Sequence, residues 1–215
     1  NEKKILIFPT NSSTKAFIYT DYYDKKEIDI LRDQCTGSTV FLDIGANVGT
    51  YSIMLCDKIN KLYVFEPHPT TNMMCKANLL INKISEKNVY DVALFDKEGR
   101  ESFSDKDFES GASGSNSITT DNSKITVETM TLDKFSKDHS FNIEHEYIVK
   151  IDVEGFERNV LLGGKHFFSK FNVRAIIFES SPQTHKGILD ILSNYNYSVT
   201  DLNRNNFLAI KNKSN

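Results

Sequence analysis

The stretch Val40-Phe41-Leu42-Asp43-Ile44-Gly45-Ala46-Asn47-Val48-Gly49-Thr50-Tyr51-Ser52-Ile53 constrains this chain more than any other. Val40 to Ile44 has the length and β-branched content of a strand buried on both faces of a parallel sheet. It ends in a glycine-rich turn. Apolar residues then recur at helical spacing through Val48, Tyr51, Ile53, Met54 and Leu55. Strand, tight turn and helix together open a nucleotide-binding βαβ unit. Gly45 lets the backbone turn sharply and approach a ligand, and Gly49 lets the helix start pack closely on the strand. The first helical N–H groups point at whatever fills the crevice.

The turn also discriminates between ligands. A dinucleotide fingerprint needs G-x-G-x-x-G. Here Asn47 stands two residues after Gly45, and no third glycine follows at the right spacing. Asp43 would repel a pyrophosphate but suits an ammonium group. S-adenosylmethionine carries an ammonium, plus a carboxylate for the helix N–H groups. Asp43, Gly45, Ala46, Asn47, Val48, Gly49 and Thr50 are therefore candidate cofactor-binding residues. The bland alternative is a tight turn capped by Asp43 and Asn47. Leu62 to Phe65 reads as the second strand, ending at Glu66, 23 residues after Asp43. An acid at that place accepts both ribose hydroxyls. Pro67-His68-Pro69 turns the chain away, so Glu66 and Pro67 join the candidate site while His68 reads as a turn residue.

A chain of 215 residues suits one α/β domain. Its 39% hydrophobic and 26% charged residues are those of a soluble globular protein, so a fold is expected and not disorder. A net charge of −3 lacks the basic surface of a duplex binder, so nucleic acid is not the expected partner. Cys35, Cys56 and Cys75 are odd in number and lack metal spacing, which predicts free thiols in a reducing, cytoplasmic compartment. No apolar run reaches membrane-spanning length. The N-terminus has no signal-peptide pattern, and Asn1 reads as an internal residue of a longer protein.

Residues 1–37 read as a lead-in or flap, with strands at Lys4 to Phe8 and Lys15 to Thr20. A helix to Gln34 follows, opened by a capping box of Asp24 and Glu27. Residues 38–211 form the main domain. Its further elements are a helix from Thr70 to Ile81, a third strand from Asn88 to Leu94, and a hairpin insertion over about 99–130. The Ser/Gly-rich centre of the insertion, Ser110 to Ser117, is expected to be a mobile lid over the acceptor. One helical turn at Leu132 to Ser136 precedes the fourth strand, Glu146 to Ile151, which ends at Asp152. A helix from Glu157 to Phe171, a strand from Val173 to Phe178 ending at Glu179, and a helix from Gln183 to Tyr195 come next. Tyr197 to Leu202 and Asn206 to Lys211 close the sheet as an antiparallel pair.

In open α/β sheets ligands bind outside the strands' carboxyl ends, where Asp152 and Glu179 both fall. Alternation puts Lys150 and Asp152 on one side of the strand. Asp152 is the candidate proton acceptor, Lys150 its companion, and Glu179 the candidate for fixing the acceptor; together these are the candidate catalytic residues. Asp152 and Glu154 capping the next helix is the structural alternative. A Mg²⁺ ion held by Asp152 with Glu154 or Glu179 is another. No His-rich or Cys-rich set supports a transition metal, and no resident metal is expected.

Taken together, Phe41 to Gly49, Val64-Phe65-Glu66-Pro67, Asn78, Asn82, Val92 to Asp96, Gly99, Thr131-Leu132-Asp133 and Lys150 to Glu157 resemble the FkbM family of S-adenosylmethionine-dependent methyltransferases. The likeness spans roughly Thr39 to Ser180. It implies a class I methyltransferase (Rossmann-like) sheet, mostly parallel, with helices on both faces and an antiparallel strand pair at one end. It implies an adenine contact at Val92 and Ala93. It also implies methyl transfer to a hydroxyl of a sugar, glycan or small metabolite. The competing readings are an RNA or cap ribose 2′-O-methyltransferase, disfavoured by the acidic charge, and a non-catalytic S-adenosylmethionine-binding domain of a larger protein. A nicotinamide dehydrogenase is weaker, given Asp43 and the absent G-x-G.

Glu66→Ala removes two charge-assisted hydrogen bonds, each worth about 1.5–3 kcal/mol. Calorimetric titration with S-adenosylmethionine should show at least about a tenfold loss of affinity, with the circular dichroism spectrum unchanged; wild-type affinity would remove Glu66 from the ribose site.

Overall fold

Parallel strands covered on both faces read as near-continuous apolar runs, and two such runs, Val40–Ile44 and Glu146–Ile151, lie side by side at the centre of the sheet, each carrying one buried charge, Asp43 and Lys150. The computed structural model describes residues 2–8, 11, 14, 24–103 and 125–213. The expected strand at 15–20 and the expected lid at Ser110 to Ser117 lie outside the described residues. In chain order the elements are α1 (Lys25–Gln34), β1 (Val40–Ile44), α2 (Thr50–Leu55), β2 (Lys61–Phe65), α3 (Pro69–Ile81), β3 (Val89–Tyr90), β4 (Val92–Leu94), β5 (Gly99–Phe103) and β6 (Ile125–Met130). They continue with α4 (Leu132–Asp138), β7 (Glu146–Ile151), α5 (Glu157–Gly163), α6 (Lys165–Lys170), β8 (Asn172–Glu179), α7 (His185–Asn194), β9 (Tyr197–Asn203) and β10 (Asn206–Lys211).

The main sheet has seven strands in the order β3-β2-β1-β7-β8-β10-β9. β3, β2, β1, β7 and β8 are parallel, and β10 runs antiparallel to both β8 and β9. The α/β class, the five parallel strands and the closing antiparallel pair are as the sequence predicts. Strand order reverses between β1 and β7, which leaves a crevice beyond their carboxyl ends. Alternation sorts the side chains of β1. Val40, Leu42 and Ile44 pack with Leu132, Phe135, Val160, Leu161, Phe167 and Leu192 on the face covered by α4 to α7. Phe41 packs on the other face with Ile28 and Leu31 of α1, Ile53 of α2, and Cys75 and Leu79 of α3. Burying each such side chain contributes about 1.5–3 kcal/mol.

Four local expectations are corrected. Lys4 to Phe8 is not a strand; Asn78 of α3 and Asn82 at its C-terminal cap take the place of a strand partner. The Leu6 N–H donates to Asn78 Oδ1 at 2.7 Å and the Lys4 N–H to Asn82 Oδ1 at 2.9 Å. Asn88 to Leu94 splits at the exposed Asp91: β3 pairs with β2, whereas β4 leaves for a three-stranded sheet with β6 and β5. Glu157 to Phe171 breaks into two helices at Gly164, where a Cβ would lie 2.6 Å from the Phe168 ring. The capping box is absent, because Asp24 makes no side-chain cap bond and Glu27 is buried, accepting from Asn206 Nδ2 at 3.4 Å. Cys35, Cys56 and Cys75 are free thiols. Among the described residues no helix is long and apolar enough to cross a membrane.

Asn78 is fully buried, and its Nδ2 donates to the Val48 carbonyl at 3.0 Å. It thus ties the N-terminal segment to the glycine turn. Asn78→Ala leaves these backbone groups unpaired and should cost about 1–3 kcal/mol. Urea denaturation checks this, with a midpoint at the wild-type value as the contrary result.

Candidate functional site

Gly45 and Gly49 have φ of +74° and +84°, in the left-handed region that favours glycine. A Cβ on Gly45 would sit 1.8 Å from the Asp152 carbonyl oxygen, so the close approach here is made by the loop after β7. A Cβ on Gly49 would meet Leu79 at 2.8 Å and Cys75 at 3.0 Å; the helix start packs on α3 and not on the strand. The Gly45 and Ala46 N–H groups both donate to the Phe65 carbonyl at 3.0 Å. Glu66 lies beneath this turn, 6% exposed, and accepts from the Asn47 N–H at 2.8 Å and the His68 N–H at 3.0 Å. Burial, opposed by those two N–H groups, raises its pKa to about 7. His68 caps α3 by accepting from the Thr71 N–H.

Asp43, expected beside an ammonium, is fully buried, and its partners belong to the protein. Oδ2 accepts from the Ser52 N–H at 3.1 Å and the Ser52 hydroxyl at 2.6 Å. Oδ1 has no hydrogen bond and faces Lys150 Nζ at 3.9 Å. Lys150 is the register partner of Asp43 on the neighbouring strand and is 4% exposed. Its ammonium donates to the Gly45 carbonyl, pairs with Asp152 Oδ2 at 3.3 Å and lies 5.5 Å from the centre of the Tyr51 ring. Burial pulls its pKa down, but the Asp152 and Asp43 charges outweigh burial and raise it overall. Lys150 is therefore a fixed positive charge and not a proton acceptor.

Beyond Lys150 opens a cleft of about 200 Å³. Asn47 and Tyr51 line it from the glycine turn and α2, Lys150 and Ile151 from β7, and Asp152 and Glu154 from the loop that follows. Ile177 and Glu179 come from β8, Asp24 from the start of α1, and Arg204 and Asn206 from the β9–β10 hairpin. Of the candidate residues, Asn47, Lys150, Asp152 and Glu179 thus meet in one place. Asp43, Gly45, Ala46, Val48, Gly49, Thr50, Glu66, Pro67, Val92 and Ala93 do not line this cleft. Val92 and Ala93 stand in β4 of the small sheet.

The loop Asp152 to Gly155 is clamped. The Asp152 N–H donates to the Ile44 carbonyl at 3.1 Å. Glu154 and Gly155 have φ of +54° and +98°, and a left-handed non-glycine residue costs about 1–2 kcal/mol. Glu157 holds the conformation: its Oε1 accepts from the Val153 and Gly155 N–H groups, each at 3.1 Å, and its side chain is 1% exposed. Four carboxyl groups then crowd the cleft. Burial first, then the Asp152 and Glu179 charges, raise Glu154 to about 8. Burial first, then the Asp152 and Glu157 charges, raise Glu179 to about 7. Burial raises Asp24 to about 6, opposed by Lys150. Among the described residues no three His, Cys, Asp or Glu side chains are arranged to hold a metal ion.

Sequence reasoning missed Asp24, Tyr51, Arg204 and Asn206 as cleft residues. Asp24 reads as a helix cap and Tyr51 as part of an apolar stripe. Asn203-Arg204-Asn205-Asn206 carries only a turn signal, which the structure honours with φ of +78°, +54° and +63° at the first three.

The family model described as the methyltransferase FkbM domain matches residues 43–199. The chain is 26% identical to the hexuronic acid methyltransferase AglP of Haloferax volcanii, over 87% of this chain and 76% of that protein. It is 28% identical to the 2-O-methyltransferase NoeI of Sinorhizobium fredii, over 73% of this chain and 72% of that protein. Its fold is similar to that of the precorrin-6y C5,15-methyltransferase of Geobacter metallireducens, with a TM-score of 0.53, 12% identity and 90% of each chain covered. The ribosomal protein L11 methylase of Lactobacillus delbrueckii gives a TM-score of 0.52 at 11% identity, over 89% of this chain and 79% of that one. These two structures place the fold among class I methyltransferases.

Two outcomes follow from the crowded carboxyl groups. Folded-state pKa values raised above the unfolded ones mean that the folded chain binds more protons between about pH 4.5 and 8. These groups therefore cost stability as pH rises through that window, and Glu179→Gln should raise the melting temperature at pH 8 while leaving it nearly unchanged at pH 5. A variant that melts lower at pH 8 would contradict the crowding. Glu157→Ala frees the loop and should lower turnover at least about tenfold, whereas Glu157→Gln, which keeps an acceptor for the two N–H groups, should retain most of it. Steady-state kinetics of the pair decides this.

Proposed function

The chain belongs to the FkbM methyltransferase family, and we propose that it moves the methyl group of S-adenosylmethionine to a hydroxyl oxygen of a sugar or glycan. The observation that carries this reading is the reach of Lys150. One buried side chain touches the carbonyl of the glycine turn and the carboxylate of Asp152, so the turn and a proton acceptor share one cleft. Among the relatives' names, hexuronic acid methyltransferase supports a sugar acceptor and 2-O-methyltransferase supports transfer to oxygen.

The described residues fit the donor. The loop packed against the glycine turn brings the Asp152 and Glu154 carboxyl groups to the cleft, an environment that favours a sulfonium. Glu66, directly below the turn, would accept the ribose hydroxyls beside the two N–H groups it already holds, and Asn47, whose Oδ1 accepts from Asn11 Nδ2 at 2.9 Å, stands at the turn itself. Asp43 acts indirectly, holding Ser52 and Lys150 in place. When bound, the donor supplies an electrophilic methyl group on positively charged sulfur.

The chain's own residues supply the rest. The acceptor hydroxyl must lie in line with the methyl group, shielded from water. Asp152 accepts the hydroxyl proton as the oxygen–methyl bond forms, and the Lys150 ammonium fixes the position of that carboxylate. Glu179, raised to about 7, is partly protonated near neutrality and both donates to and accepts from acceptor hydroxyls. General-base catalysis is typically worth about 10²–10⁴-fold. Transfer of labelled methyl from S-adenosylmethionine to glycosides should therefore slow by about that factor in Asp152→Asn, with donor affinity nearly unchanged. Wild-type turnover in that variant would remove Asp152 from the chemistry.

A further inference from the structure

The cleft has two walls of different origin. Asn47, Lys150, Asp152 and Glu179, which join the donor turn to the proton acceptor, fall within the stretch that the family model spans, residues 43–199. Asp24, Arg204 and Asn206 fall outside it. This outer wall is braced. The Ser180 N–H donates to the Asn205 carbonyl at 2.9 Å, which pins the hairpin tip beside Glu179. Lys26 Nζ donates to the Leu202 carbonyl at 3.0 Å, and Asn206 Nδ2 donates to Glu27 Oε1 at 3.4 Å. α1 and the hairpin are thereby joined to one another across the mouth of the site. Three consecutive left-handed residues, Asn203 to Asn205, give the tip one defined shape.

The charges of the cleft restrict what enters. Asp24, Asp152, Glu154 and Glu179 stand against Lys150 and Arg204, and Lys150 already faces Asp43 and Asp152. These acids already resist ionisation, Glu154 being raised to about 8 and Glu179 to about 7, and an acceptor carboxylate placed among them out of water would be met by repulsion or by further proton uptake. Neighbouring sugar hydroxyls meet no such penalty. Carboxyl, amide and guanidinium groups satisfy them with paired donors and acceptors. We propose that Asp24, Arg204 and Asn206 select the acceptor, and that they select an uncharged sugar over the corresponding uronic acid. The inference rests on the reading of the protein as a sugar O-methyltransferase.

The test uses labelled S-adenosylmethionine and matched 4-nitrophenyl glycosides and glycuronides of the gluco, galacto and manno series. The wild-type chain should methylate the best neutral glycoside with a kcat/KM at least about tenfold above that of its glycuronide. Asp24→Asn, Arg204→Gln and Asn206→Ala should each raise the acceptor KM about tenfold or more, with the affinity for S-adenosylhomocysteine, measured by calorimetry, unchanged. Unchanged donor affinity shows that the variant is folded. Equal or better turnover of the glycuronide, or wild-type KM values in all three variants, would overturn this inference and leave the sugar reading standing. Transfer to a non-sugar hydroxyl with none to any glycoside would overturn the sugar reading, and this inference with it.

Discussion

A buried ammonium ion holds this site together. Lys150 is 4% exposed at the sheet centre, and a charge so placed survives only if every side of it is compensated. Here the compensation comes from Asp43 on the adjacent strand, from Asp152 at the end of its own strand, from the Gly45 carbonyl and from the Tyr51 ring. These four partners are the end of β1, the glycine turn, the start of α2 and the loop after β7. Removing one member of such a set typically costs about 3–5 kcal/mol, because the remaining charge is left uncompensated. Lysine suits the position because its compact ammonium reaches several acceptors at once.

The same pairing gives the glycine turn its shape. Gly45 accepts close contact from the Asp152 carbonyl, and Asp152 is in turn held to Ile44 through its own N–H. The two loops therefore act as one rigid piece, with Glu66 below and Glu157 behind it. Preorganisation of this kind lets a site present charge and hydrogen-bond partners without rearranging when substrates arrive. The left-handed Glu154 is part of that arrangement: Glu157 holds it from within the protein, and the adjacent Asp152 carboxylate faces the cleft.

The sheet and the inner wall of the site were legible from the residues. Val40 to Ile44 and Glu146 to Ile151 are largely apolar runs, and the charges that matter, Asp43 and Lys150 within them and Asp152 just after, fall where register and alternation bring them together. Other features were not legible, for one physical reason: they depend on pairing between distant segments. Lys4 to Phe8 looks like a strand by composition, but its backbone finds asparagine side chains on α3 and at its C-terminal cap. Asn88 to Leu94 looks continuous, but its two halves have different partners, β2 and β6. Asp24 and Arg204 are ordinary cap and turn residues until α1 and the hairpin are brought together. Local periodicity reports which face is apolar and not what lies against it.

The pairing of β1 with β7 carries a kinetic consequence. Val40 aligns with Tyr147, with more than a hundred residues of chain between them. Closing so long a loop must precede any reward from the contacts it makes, which slows folding of sheets built this way. The β9–β10 hairpin, by contrast, closes over a two-residue turn, a closure of small entropic cost. The hairpin tip is thus local structure, whereas its junction with α1 and the charge cluster around Lys150 both wait on the pairing of distant segments. A chain in which β1 and β7 have not paired therefore lacks the buried ion set around Lys150 altogether.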